Sequence, residues 1–279
     1  MALKLMYITN DTAVAKIAED NGVDRIFMDM EYIGKEKRQP GDTVKSHHTV
    51  EDIRRVRSVI KKSELMVRVN PLTEKSADFI GSEKEIEEVI SAGADVIMLP
   101  MAKSASEVAR FVKCVGGRAK TMFLLETREA AEKLDEILSV QGIDEVHIGL
   151  NDLHLSLGEH FMFEPLADGT VDKLTGKIAA VGLPYGFGGI ARIGYGMLPA
   201  EKVITEHYRL GSSFAILSRS FCNIGNITDE KEVREIFGRG VKSIRDFEDS
   251  LSGLTPSDYE ENRLEVKRLV NEIVGQVNR

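Results

Sequence analysis

The stretch KTMFLLETREAAEKLDEILSVQGIDEVHIGLNDLHLSLG (120–158) decides the fold. A β-branched and aliphatic run, KTMFLLE (120–126), is followed by one helix's length of chain and a second such run, EVHIGL (145–150). Each run delivers an acid near its end, Glu126 and Asp152. In a βαβ unit the crossover helix returns the chain to the same edge, so residues just past the carboxyl ends of the strands gather on one face. Adjacent strands lie roughly 4.8 Å apart, and two carboxylates that close repel unless a cation sits between them. A divalent metal on Glu126 and Asp152 is one reading of the pair. The other makes Glu126 a cap for the next helix and Asp152 the head of an Asx turn.

The same rhythm runs outward in both directions. Further strand-like runs are KLMYIT (4–9), RIFMDM (25–30), LMVRVN (65–70), DVIMLP (95–100), PYGFGGI (184–190) and FAILS (214–218), which brings the total to eight. Amphipathic stretches alternate with them: Ile86, Val89 and Ile90 share a helical face, as do Val108, Phe111, Val112 and Val115. Gly93 and Gly116 stand where C-caps belong, and the Ser104 and Ser106 region supplies an N-cap. Eight βα repeats in 279 residues predict a (β/α)8 TIM barrel of the α/β class, because no dinucleotide fingerprint follows the first strand.

Two departures from the repeat carry information. The loops YIGKEKRQPGDTVKSHH (32–48) and NDLHLSLGEHFMFEPLADG (151–169) are long, and such loops at the carboxyl ends of barrel strands build active sites. The barrel is expected over 1–227, with a C-terminal helical appendage over 228–279. In that appendage Val266, Leu269, Val270, Ile273 and Val277 form an apolar stripe, which needs cover from the same barrel or from a neighbouring subunit.

Composition removes several classes of function. The formal net charge is −8 and no long Lys or Arg run occurs, so nucleic acid and anionic membrane surfaces are not expected partners. Cys114 and Cys222 lack His or Cys neighbours at ligand spacing, which suggests neither a disulfide framework nor a zinc site. With no leader-like start and no long uncharged apolar stretch, a soluble cytoplasmic protein is expected.

The motifs VRVN around Arg68, GADVIMLPM (93–101), LLET (124–127) and HIGLNDLHLSLG (147–158) stand in the order and spacing of the HpcH/HpaI aldolase and citrate lyase beta-subunit family, which the chain resembles over about 20–160. The resemblance implies a pyruvate- or phosphoenolpyruvate-type barrel that binds a divalent metal, Mg²⁺ or Mn²⁺, and a 2-oxo acid. It implies Glu126 and Asp152 as the metal ligands and Arg68 as the holder of the substrate's oxygens. It also implies a homo-oligomer that exchanges its C-terminal helix. Two carboxylates would leave about four octahedral positions for water and substrate, and the planar fork of Arg68 suits a carboxylate or an enolate oxygen.

Strand 2 departs from the family. Its end reads FMDMEY (27–32), and where the aldolase branch typically carries a histidine as acid/base the chain has Tyr32, a poor base unless its pKa is shifted. The acids resemble those that hold metal-bound waters in the citrate lyase branch, with Glu31 nearer the metal and Asp29 behind it, or with Asp29 in a loop cap. His48 is a substitute for the missing base, His147 reads as a satisfied core residue, and His154 and His160 read as surface residues. Lys35, Lys37 and Arg38 read as a solvated face, with a phosphate or CoA tail as their functional alternative. Lys4 is the only lysine near a strand in a place that an imine mechanism would need, so a metal-stabilised enolate is preferred. The function read from the sequence is a metal-dependent carbon–carbon lyase acting on pyruvate or a related 2-oxo acid with an aldehyde partner. The alternatives are a CoA-ester lyase of the citrate lyase type and a catalytically silent barrel subunit.

Overall fold

All eight runs form strands: β1 (Lys4–Ile8), β2 (Arg25–Asp29), β3 (Glu64–Arg68), β4 (Val96–Leu99), β5 (Lys120–Leu125), β6 (Glu145–Ile148), β7 (Tyr185–Ile190) and β8 (Phe214–Leu217). The computed structural model describes residues 2–38, 46–223, 227 and 229–277. Each strand pairs in parallel with the next, and β8 pairs with β1, so the sheet closes as a barrel. Helices connect the strands, and the expected TIM barrel is the observed one. Seven of the strands stop one or two residues short of the runs read from sequence, and β7 ends with its run at Ile190; Met30, Val69, Asn70, Pro100 and Glu126 already belong to the loops of the barrel's carboxyl-terminal face.

Alternate strand residues point inward and must fill the barrel. Met6, Phe27, Met66, Val96, Met98, Met122, Leu124 and Phe214 form one buried cluster there, apart from the larger core between sheet and helices. Below it, at the first residues of β2, β3 and β6, Arg25 is 1% exposed and donates to both oxygens of Glu145 at 2.7 and 3.1 Å. Arg25 also donates to Glu64 at 2.6 and 3.1 Å, and Lys120 reaches the other Glu64 oxygen at 2.6 Å. On β7, a Cβ at Gly186 would lie 2.1 Å from the Phe214 carbonyl oxygen and 2.4 Å from its ring. Glycine is required there because Phe214 occupies the space a side chain would take.

Outside the barrel the amphipathic stretches pack as their patterns indicate. Ile86, Val89, Val108, Phe111 and Val115 are buried, and Ser104 accepts a hydrogen bond from the Glu107 amide as an N-cap. Gly116 ends that helix in the left-handed region at φ 59°. The helix Glu230–Ser250 buries Val233, Phe237, Val241 and Ile244 and packs on the helix Thr12–Asp20. Its Glu248 accepts from the Leu3 amide at 2.7 Å, which ties it to the start of β1.

The last helix, Pro256–Val277, lies on the helices Ala200–Arg209 and Glu164–Ala167 of the same chain. Val266 and Val270 are each 1% exposed, and Leu269 and Ile273 are half-buried. The Val277 side chain lies outside the described residues, as does Thr228, where the sequence reading starts the appendage. Asn262 fixes the helix by donating to Glu206 at 2.8 Å and to the Lys202 carbonyl at 3.1 Å.

The barrel floor gives the first prediction. Arg25→Ala leaves the buried Glu145 without its cation, while Glu64 keeps Lys120, so it should cost about 3–5 kcal/mol, the usual penalty for breaking a buried ion pair from one side. Equilibrium urea unfolding checks this, and a loss below about 1 kcal/mol would assign the support of the floor to other contacts.

Candidate active site

The carboxyl-terminal face holds a cavity of about 320 Å³, open at the barrel mouth. Its apolar wall is Ile8, Phe27, Met98, Leu124, Met162 and Ile216, and its charged rim carries Asp29, Lys35, Arg68, Glu126, Asp152 and Arg219. Four of the six charged groups come from the ends of β2, β3, β5 and β8 or from the loops that leave them, Asp152 sits in the helix Leu150–Leu157 after β6, and Lys35 opens the short helix Lys35–Arg38.

Glu126 stands immediately past β5 and is 2% exposed. Its Oε1 accepts from the Met101 amide at 3.0 Å. Met101 reaches that position at φ 58°, and it is the only non-glycine residue with positive φ among those described. A left-handed conformation costs a side-chain-bearing residue roughly 1–3 kcal/mol. A Cβ at Gly149 would stand 2.9 Å from Glu126 Oε2, so that glycine leaves the carboxylate its space. Asp152 is 8% exposed and sits in the first turn of the helix Leu150–Leu157 directly after β6. The positive end of the helix dipole favours an anion at that place. Burial, together with the negative charge of Asp152, pushes the Glu126 carboxyl up to about 8, against the pull of Arg68.

The end of β2 is built from opposite pairs. Asp29 accepts from Arg68 Nε at 2.9 Å and Nη2 at 2.8 Å, and from Lys35 Nζ at 2.7 Å. Burial alone would raise the Asp29 pKa, yet the two cations hold it well below the usual carboxylate range. Glu31 is 1% exposed, bonds Arg38 through Oε1, and has Oε2 3.4 Å from Arg68 Nη1. The fork of Arg68 assigned to substrate on the sequence is therefore occupied by Asp29, and Nη1, ion-paired with Glu31 at 3.4 Å, is the corner not engaged by Asp29. Arg68 itself is held charged by Asp29 and Glu31 in spite of its burial.

Several sequence readings change. Lys35 is no solvated side chain, being 5% exposed and locked on Asp29, and Arg38 bonds Glu31. The side chain of Lys37 and the loop residues 39–45 lie outside the described residues. Tyr32 is 40% exposed, stacks on His47 with ring centres 5.3 Å apart, and does not line the cavity. His48 is buried behind β2, where its Nδ1 accepts from the Asp29 amide at 3.0 Å, and it too lies outside the cavity wall. His154 is buried rather than on the surface, with Nδ1 3.2 Å from the Leu150 carbonyl, whereas His160 is exposed. His147 is buried as expected and also lines the cavity, with its ring stacked on Phe214 at 6.0 Å between centres.

Sequence reasoning missed Asn70 and gave Lys35 a solvated place or a phosphate, not its bond to Asp29. Asn70 Oδ1 accepts from the amides of Tyr32 and Ile33, both at 3.0 Å, which holds the loop after β2 to β3. A signal for Lys35 existed in its place four residues after Glu31.

The sequence profile of the HpcH/HpaI aldolase/citrate lyase family matches residues 4–163, more than half of the chain. The chain belongs to this family. A hydroxypyruvate/pyruvate aldolase of Rhizorhabdus wittichii is 42% identical over 81 residues, a stretch covering 25% of this chain and 31% of that protein's length. The HpcH/HpaI aldolase of Desulfitobacterium hafniense has the same fold, with a TM-score of 0.61 at 18% identity over 87% of this chain and 93% of that one. A family protein of Burkholderia cenocepacia gives 0.61 at 14% identity, covering 84% and 94% of the two chains, and a variant of the citrate synthase SbnG gives 0.56 at 16%, covering 77% and 85%. At these identities the likeness of the structures is one of fold.

Glu126 and Asp152 together supply hard carboxylate oxygens in a space kept open by Gly149, and that donor set suits Mg²⁺ or Mn²⁺. No group of three or more His, Cys, Asp or Glu side chains placed to hold a metal occurs among the described residues.

A pH dependence follows from Glu126. Without a cation the folded protein keeps a proton on Glu126 up to about pH 8, whereas an unperturbed glutamate releases it near 4.5. The native state therefore binds more protons between those values, and its stability should fall as pH rises through that window. Glu126→Gln should flatten the fall, measured by thermal unfolding in chelator. Mn²⁺ affinity of the unmodified protein should rise across the same window as the proton leaves. A Glu126→Gln protein with unchanged slope would locate the titrating group elsewhere.

Proposed function

We propose that the protein is a carbon–carbon lyase of the aldolase type, which makes or breaks the bond next to the ketone of pyruvate or a related 2-oxo acid, with Mg²⁺ or Mn²⁺ on Glu126 and Asp152. The observation that carries this reading is the cavity in which the Glu126–Asp152 pair faces a guanidinium oriented by Asp29. Family membership and the name of the Rhizorhabdus relative support it. A cation bound by the two carboxylates would add Lewis-acid polarisation of the substrate ketone.

The chain's own residues supply the rest. Arg68 Nη1 offers a fixed N–H and a positive charge to a substrate oxygen, where negative charge grows as the bond to C3 breaks. Asp29 fixes the guanidinium plane through two bonds, and Lys35 holds Asp29 from the other side. The apolar wall around Phe27, Met98 and Leu124 excludes water, which strengthens these charges. Asp29 is too firmly held as an anion to serve as an effective proton acceptor at neutral pH. Lys35 and Arg38 bond inward, which takes two of the three cations of the strand 2 loop away from a CoA phosphate.

Solvent exchange tests the reading. With Mg²⁺ or Mn²⁺ the protein should exchange the methyl protons of pyruvate for deuterium without an aldehyde, followed by proton NMR. Arg68→Lys should slow exchange at least about 100-fold, because an ammonium cannot bond Asp29 twice and still face substrate. Tyr32→Phe should stay within about two-fold of the unmodified rate, since its hydroxyl lies outside the cavity. Binding of pyruvate without any exchange would remove the enolate chemistry.

A further inference from the structure

The cations of the barrel mouth are tied to acids with one exception. Lys35 and Arg68 hold Asp29, and Arg38 and Arg68 hold Glu31. Arg219, in the loop that leaves β8, lines the same cavity and makes no hydrogen bond or ion pair among the described residues. Asp29 attracts it from a distance but already accepts twice from Arg68 and once from Lys35. Partial burial, which Asp29 opposes and Arg68 reinforces, holds its pKa below the ordinary arginine value, yet a guanidinium stays charged at neutral pH. A cation drawn into a cavity without an acid to answer it is completed by an anionic ligand.

The wall next to Arg219 is open to close approach. On β7, Gly188 and Gly189 enter the cavity wall in succession. Gly188 stands at φ 50°, where a Cβ would also meet Leu150 at 2.8 Å, so a side chain is excluded there. A Cβ on Gly189 would stand 3.5 Å from that of Ser218, whose hydroxyl lies 2.7 Å from the hydroxyl of Ser220. Two hydroxyls therefore flank Arg219 in sequence, and one of them borders the glycine pair. In barrels of this kind the loops after strands 7 and 8 frequently hold a phosphate. A carboxylate fills the guanidinium fork with both of its oxygens, whereas a phosphate monoester keeps a third oxygen for the hydroxyls. The acid pair and Arg68 claim the C1 and C2 oxygens of an oxo acid, and the cavity of about 320 Å³ has room beyond a three-carbon acid.

We propose that Arg219, with Ser218 and Ser220 beside it, is a specificity-determining residue that binds a phosphate on the aldehyde partner, so that the acceptors are phosphorylated aldehydes. This rests on the oxo-acid lyase reading of the site. In the condensing direction C3 loses a proton and bonds to the aldehyde carbon, and the aldehyde oxygen takes up one proton. The product is a phosphorylated 4-hydroxy-2-oxo acid, and cleavage runs the same steps backwards. The phosphate takes no part in the bond making. It anchors the far end of the acceptor at β8, and this remote binding holds the aldehyde carbon against C3 of the oxo acid.

The test compares glyceraldehyde, glyceraldehyde 3-phosphate and the carboxylate-bearing succinic semialdehyde as acceptors of pyruvate with Mn²⁺, in the unmodified protein, Arg219→Lys and Arg219→Gln. In the unmodified protein kcat/KM should favour glyceraldehyde 3-phosphate over each of the others by about ten-fold or more, the scale of one charge-assisted hydrogen bond. Arg219→Gln should bring the two glyceraldehydes to a ratio near one, chiefly through KM of the phosphorylated one. Arg219→Lys, with the charge but without the fork, should keep part of the preference. Calorimetry supplies a readout apart from turnover: glycerol 3-phosphate, which has no carbonyl to react, should bind the unmodified protein about ten-fold or more tighter than it binds Arg219→Gln. Equal use of the two glyceraldehydes, a preference for succinic semialdehyde, or an equal loss with all acceptors in Arg219→Gln overturns the assignment. If the unmodified protein still exchanges the methyl protons of pyruvate, those results leave the oxo-acid reading standing, and absence of exchange removes both.

Discussion

The apolar layer inside the barrel, from Met6, Phe27 and Met66 round to Met122 and Phe214, sets the terms for every charge above and below it. It keeps water out of the barrel axis, so a charge at either edge must find a partner within the protein or change its protonation state. At the floor, Arg25 is answered by Glu64 and Glu145. At the mouth, two carboxylates in similar burial are driven in opposite directions. Asp29, between Arg68 and Lys35, is held down as an anion, and Glu126, beside Asp152, is pushed up to about 8. Burial raises both; the sign of the nearest charge decides the outcome.

That contrast divides the mouth into two halves with different work. The β2–β3 half is saturated with ion pairs that link Asp29 and Glu31 to Arg68, Lys35 and Arg38, and Asn70 stitches the following loop to β3. These bonds fix the Arg68 guanidinium. The β5–β6 half is short of cations, and its backbone is arranged around the acids: Met101 accepts a left-handed conformation to reach Glu126, and Gly149 gives up a side chain to make room for it. A left-handed residue beside a carboxylate whose pKa is raised, on the open face of a barrel, is the kind of feature found at ligand sites. His147, under the same half, adds a buried imidazole to the cavity wall.

The sequence by itself determined the barrel and the place of the acid pair. Alternation of eight short aliphatic runs with amphipathic stretches is a local pattern, and parallel strands joined by helices must bring their carboxyl ends together. Glu126, Asp152, Arg68 and Asp29 could therefore be read from spacing and motif, and all four line one cavity. Which partner each charge takes was a matter for the tertiary structure alone, because it depends on contacts across strands that the chain order does not encode. Lys35 and Arg38 sit in a polar loop and look solvated, yet that loop folds inward over Asp29 and Glu31. Tyr32, one residue past Glu31, points outward to His47, since neighbouring residues at a strand end face opposite ways. His147 shows the same limit: its inward phase on β6 is legible, but its place in the cavity wall follows from closure of the barrel around it by Leu124, Gly186 and Phe214.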